Sequence, residues 1–105
     1  ARDPLSCAPM KSLICMAALL AATGALADEE GKRLFTTVTP ACALCHTLQD
    51  AGATGAIGPS LDELKPDADR VAKALRTGIG QMPAFTQLTD AQVQALARYV
   101  EKATR

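Results

Sequence analysis

Cys42-Ala43-Leu44-Cys45-His46 brings two thiols and an imidazole into five consecutive residues of a 105-residue sequence. Two thiols three residues apart on one turn can each add to one of the two vinyl groups on a haem edge. The next residue then projects its imidazole toward the iron. The spacing therefore points to one covalently attached haem c, held by Cys42 and Cys45 and ligated by His46. Competing chemistries each fail on a specific point. A thioredoxin-like redox pair needs a βαβ scaffold, and none is visible. A structural zinc site wants four Cys or His ligands, and beyond residue 27 the sequence has three.

A second axial ligand follows by elimination. Beyond residue 27 there is one His, which the proximal side consumes, and one Met. Met82 is thus the only soft neutral ligand left. It follows Gly78-Ile79-Gly80-Gln81, a loop able to approach a flat ring, and precedes Pro83, which stiffens it. The alternatives are a methionine that merely fills the core, a Lys amine on the iron, or an empty sixth position. With His46 and Met82 both bound, no coordination position is open to substrate, which argues for an electron carrier rather than an enzyme. A neutral thioether favours Fe(II), so a positive potential is expected. Were Met82 not a ligand, a five-coordinate haem sensor or peroxidase would be the competing class, although a single His supplies no second acid or base. A haem-bearing subunit fixed to a larger redox enzyme shares every one of these residues with a free carrier.

Such a site needs a chain to carry it outside the cytoplasm. Lys11, the apolar run Leu13 to Leu20 and the small residues of Ala25-Leu26-Ala27 have the layout of a secretory signal peptide. Residues 1–27 read as an upstream extension plus signal, cleaved after Ala27, and residues 28–105 as a single domain. Export implies a periplasmic location. The apolar stretch Leu13 to Ala27 is 15 residues, short of the roughly 18–20 that cross a bilayer, so no integral membrane segment is expected. The whole sequence carries 11 basic and 11 acidic residues. Removing Arg2, Lys11 and Asp3 with the first 27 leaves nine and ten. That balance gives no electrostatic footprint for nucleic acid.

The 78 residues that remain contain only three aromatics, Phe35, Phe85 and Tyr99. So short a chain makes a meagre core and usually relies on a metal, disulfides or a large prosthetic group. The elements around the motif read as helices. Gly31, Leu34, Phe35 and Val38 share a face of a helix from about Asp28 to Val38. Gly52, Gly55, Gly58 and Pro59 mark the following segment as loop, and Ser60 to Leu64 as one short turn. A helix capped by Asp67 or Asp69 has Val71, Ala74, Leu75 and Ile79 on one face and ends at Gly78 and Gly80. Thr89-Asp90-Ala91-Gln92 is a capping box, opening a last helix with Val93, Leu96, Ala97 and Val100 at i, i+3, i+4 and i+7, to about Ala103. Nothing alternates with period two, so the domain is expected to be all-α, with three to five helices wrapped around the haem.

Cys42 to His46, Gly58-Pro59-Ser60-Leu61 and Met82-Pro83-Ala84-Phe85, in that order between an opening and a closing helix, resemble a small single-haem class I c-type cytochrome. The resemblance implies that Pro59, 13 residues after His46, accepts a hydrogen bond from the proximal imidazole through its carbonyl. It implies that Leu61 lies against the haem ring and that the terminal helices cross, with Gly31 and Phe35 meeting Leu96 and Tyr99. Arg76 is then either a propionate partner or a solvated helix residue, and Gln81 and Thr86 are candidates for hydrogen bonds near the haem. Asp62, Glu63, Lys65, Asp67 and Asp69 read as an exposed charged face. Partner contact in this family occurs at the exposed haem edge, here framed by small and mostly apolar residues such as Ala43, Leu44, Ile57, Ile79 and Pro83. The stretch Ala74 to Phe85 is similar to small cytochromes that accept electrons from periplasmic molybdenum sulfite dehydrogenases. The implied partners are a periplasmic dehydrogenase of that kind and a terminal oxidase or other acceptor.

Overall fold

The structure is a computed structural model and describes residues 24–105. The expected signal segment lies, as far as residue 23, outside the described residues; residues 24–27 are already helical. In chain order the elements are α1 (residues 24–37), α2 (Cys42–Cys45), β1 (Thr47–Leu48), a 3₁₀ turn (Gln49–Ala51), β2 (Ala53–Thr54), α3 (Leu61–Leu64), α4 (Ala68–Thr77) and α5 (Asp90–Ala103). The expected all-α class holds, with one addition. β1 and β2 pair antiparallel, Thr47 opposite Thr54 and Leu48 opposite Ala53. Two-residue strands are too short to print a period in the sequence.

The helices stand where their caps put them. Asp67 accepts the Arg70 N–H at 2.8 Å and starts α4. Thr89 and Gln92 form the reciprocal capping box of α5, with bonds of 3.1 and 2.9 Å. Glu101 of α5 accepts the Ala68 N–H at 2.8 Å and so ties the start of α4 to the end of α5. At the other end of α4, Gly78 takes a φ of +70°. This left-handed turn throws Ile79 off the helical face on which the spacing placed it, and Ile79 is 70% exposed.

α1 crosses α5 at Gly31. A Cβ there would overlap Tyr99 Cβ and stand 2.5 Å from the Ala95 carbonyl oxygen, so only glycine lets the backbones meet. Phe35 and Tyr99 pack edge to face beside it, centroids 6.3 Å apart. Tyr99 also donates to Asp50 at 2.6 Å, which fastens α5 to the 3₁₀ turn. Leu34, Leu48, Leu75, Leu96 and Val100 complete a core that covers only one side of each helix. Leu75, Leu96 and Val100 of that core also line a cavity.

Candidate functional site

That cavity has a volume of about 940 Å³, within the range of sites that hold cofactors and large ligands. Cys42, Cys45, His46, Pro59, Leu61 and Met82 all line it. The structure thus gathers residues spread over 41 positions of the chain around one space. Its walls are otherwise largely apolar, with Val71, Ala74 and Leu75 from α4, Phe35 from α1, Leu96 and Val100 from α5, and Phe85. A smaller cleft, about 330 Å³, lies among Asp28, Asp50, Tyr99, Lys102 and Ala103 and contains no thiol, imidazole or thioether.

α2 is a single turn, closed by the His46 N–H on the Cys42 carbonyl at 2.9 Å. Both cysteines are free thiols. Burial pushes the Cys42 thiol up to about 11, the neighbouring Cys45 adds to the rise, and a backbone hydrogen bond opposes it. A redox-active pair needs the opposite, a thiol whose pKa is depressed. The fold speaks against the thioredoxin-like chemistry, since the described residues place no βαβ unit around the pair. Among the described residues no group of three His, Cys, Asp or Glu side chains is placed to hold a metal ion.

His46 Nδ1 lies 2.8 Å from the Pro59 carbonyl oxygen. A carbonyl only accepts, so Nδ1 carries the proton, and in the neutral imidazole that leaves the lone pair on Nε2. The loop that delivers Pro59 is held down by the Thr47 hydroxyl on the Gly55 carbonyl at 2.9 Å and by the Gly58 N–H on the Cys45 carbonyl at 2.6 Å. Two glycines make that approach possible. A Cβ on Gly55 would stand 2.6 Å from the Leu44 carbonyl carbon, and one on Gly58 would stand 2.6 Å from His46 Cε1. The sequence reads both as loop glycines, Gly58 also as the start of the Gly58-Pro59-Ser60-Leu61 motif; their partners become visible with the fold. Gly58→Ala is expected to displace the imidazole and cost about 1–3 kcal/mol, as overpacking a tight site does. Guanidinium unfolding of the haem-loaded protein, followed at the haem absorption band, measures it.

Met82 sits at the end of a tight turn. The Ile79 N–H bonds the Met82 carbonyl at 3.0 Å, the Met82 N–H bonds the Ile79 carbonyl at 2.9 Å, and Gly80 between them has a φ of +57°. A glycine with positive φ at the first central position is the requirement of a type II′ turn. The Phe85 N–H on the Leu75 carbonyl, 2.7 Å, then closes the loop against α4. Gly78 is needed here a second time, because a Cβ would meet the Met82 carbonyl oxygen at 2.8 Å. Met82 is half-buried and lines the cavity.

Arg76 is not at the cavity; it pairs loosely with Asp90, 3.9 Å away, on the solvent side of α4. Arg70 and Lys73 line the cavity instead, together with Thr77. The spacing 70, 73, 77 is one helical stripe beside the apolar stripe 71, 74, 78, so the phase of the helix contained the signal. Gln81 lines the cavity, whereas Thr86 is exposed and outside it. Asp62 is half-buried and bonded to the Gln49 N–H, and Asp67 is a cap, so the supposed charged face is partly structural.

Residues 26–100 match the family described as cytochrome C oxidase, cbb3-type, subunit III. The chain belongs to this family of c-type cytochromes. The cytochrome is also 51% identical to the c-type cytochrome SorU from Sinorhizobium meliloti, whose crystal structure it matches with a TM-score of 0.73 over 74% of this chain and 91% of that one. No curated protein matches it. The cytochrome is accordingly an electron carrier of the small class I type, and a c-type cytochrome implies haem c. Among the described residues no helix is long and apolar enough to cross a membrane.

Proposed function

We propose that this cytochrome is a periplasmic single-electron carrier with one haem c, bound through Cys42 and Cys45 and ligated by His46 and Met82. The observation that carries the reading is the convergence of the two thiols, an imidazole with a free Nε2 and the only described methionine on one largely apolar cavity. Haem there supplies a one-electron Fe(III)/Fe(II) couple. The chain supplies the rest. Pro59 fixes the tautomer and orientation of His46, which strengthens its donation through Nε2. The turn at Gly80 holds Met82 without a long ordering cost, and the apolar walls disfavour the extra positive charge of the oxidised state. His46 and Met82 would both hold the iron, which would leave substrate no place on it and suit the protein to exchanging electrons.

Electrons enter from a periplasmic dehydrogenase, with a sulfite dehydrogenase as the proposed donor, and leave to a terminal oxidase or other acceptor. The likeness of the loop Ala74 to Phe85 to cytochromes with that donor supports this choice. Leu44, Ile57 and Ile79, 65, 73 and 70% exposed, surround the cavity mouth or its flanking turn with apolar surface. Such a small uncharged contact suits rapid release. Pro83→Glu adds a charge that must be desolvated in the encounter, and is expected to slow reduction while leaving the visible spectrum intact. Stopped-flow reduction by a purified sulfite dehydrogenase from the same source tests the donor. Reduction at the enzyme's turnover rate is expected, with only a modest dependence on ionic strength; reduction far slower than turnover rules the sulfite enzyme out.

A further inference from the structure

We infer that Asp62 is a positioning residue for His46, acting through the backbone of the segment that follows the histidine. The inference rests on the reading of His46 as the proximal ligand. Two hydrogen bonds join residues 46–49 to residues 59–62 in the same register. His46 Nδ1–H donates to the Pro59 carbonyl at 2.8 Å, and the Gln49 N–H donates to Asp62 Oδ2 at 2.9 Å, each spanning 13 residues. The two segments are therefore clamped at both ends. Between the clamps, Leu48 is fully buried and Leu61 nearly so, which leaves neither segment free to slide. Pro59 has no N–H of its own to anchor it, and it is exposed. Its carbonyl stays aimed at His46 only as long as the turn from Pro59 to α3 is fixed, and Asp62 is the side chain that ties the first turn of α3 back to the 3₁₀ turn three residues after the histidine.

A carboxylate accepting from a backbone N–H makes a short, strong bond, and Asp62 shares its surroundings with Tyr99 and Asp50. Asp50 lies one residue beyond Gln49, and both Asp50 and Asp62 act on Tyr99, whose phenol is held well above its usual range by burial, by its bond to Asp50 and by the charges of the two carboxylates. Lys32 stands 3.8 Å from Asp50. The bond that Asp62 makes is to the Gln49 N–H, 2.9 Å away.

The test separates the bond from the charge. Asp62→Ala and Asp62→Asn both remove the charge, but only Asn keeps an acceptor, and Glu63→Ala removes a neighbouring charge with no such bond. In the haem-loaded protein, hydrogen exchange at His46 Nδ1–H is read by proton NMR beside exchange at the core amide of Leu96. Asp62→Ala is expected to speed exchange at Nδ1–H about tenfold or more, with the Leu96 amide unchanged, and to shift the reduction potential away from that of Asp62→Asn. Asp62→Asn and Glu63→Ala are expected to exchange as the wild type does. Equal exchange in all the variants overturns the role of Asp62, as does acceleration shared by the Leu96 amide, which would mean only a general loss of stability. A wild type that loses its haem on denaturation overturns the parent reading and this inference together, whereas retained haem with unaltered exchange overturns the inference alone.

Discussion

Replacing both Cys42 and Cys45 by Ser is expected to yield a chain that loses its haem on denaturation in acidic organic solvent and is largely unfolded once the haem has gone. The magnitude follows from the cavity. Without haem the apolar lining from Phe35, Val71, Leu75, Phe85, Leu96 and Val100 would stand against water, at roughly 25 cal/mol for each Å² left unburied. Small domains have only about 5–15 kcal/mol in total. The apolar walls of α1, α4 and α5 therefore cannot remain apart around nothing, and three aromatic residues are too few to close the gap by repacking. In the wild type, haem is expected to stay on the polypeptide under the same solvent. Circular dichroism of the haem-free double variant checks the second half, and a cooperative, native-like melt would contradict it.

The other large effect is expected at Met82. Met82→Ala should abolish the sulfur-to-iron charge-transfer absorption, open the iron to carbon monoxide or cyanide, and lower the reduction potential. The shift should be on the order of 0.1 V, within the roughly 0.8 V that axial ligands span. The direction follows from the chemistry of the ligand, since a thioether stabilises Fe(II) and its loss removes that preference. The fold should survive better than in the double cysteine variant. The turn that carries Met82 is held by backbone bonds at Ile79, Met82 and Phe85, none of which needs the thioether. Titration with carbon monoxide under reducing conditions, with wild type as the reference, measures the effect; a variant as closed to the gas as the wild type would assign the sixth position to another residue.

How much of this could be read from the sequence depended on distance along the chain. Cys42, Cys45 and His46 are contiguous, so their chemistry is carried by spacing on one turn. The capping box of α5 is equally local, and of the two caps the spacing allows for α4, Asp67 and Asp69, the structure takes Asp67. Contacts made by folding were harder. Gly58 looked like any loop glycine, because the imidazole that forbids it a Cβ lies 12 residues earlier. Asp62 looked like a solvated charge, because the N–H it accepts comes from Gln49 across a turn. Ile79 was assigned to the inner face of α4 by a period that Gly78 interrupts. Arg76 against Arg70 and Lys73 was a question of helix phase, answerable in principle from the stripe through Val71, Ala74 and Gly78. The β1–β2 ladder had no signal at all, since two residues per strand cannot show alternation.

In the proposed carrier His46 and Met82 would together close the iron, and that closure would leave it only electrons to exchange. Proton NMR of the reduced wild-type protein examines it most directly. A methionine methyl held over the centre of the haem ring is shifted strongly upfield by the ring current. A single methyl resonance far upfield of all the others, lost in Met82→Ala, is the result predicted. A Met82 methyl at the ordinary position of a packed methionine would contradict it.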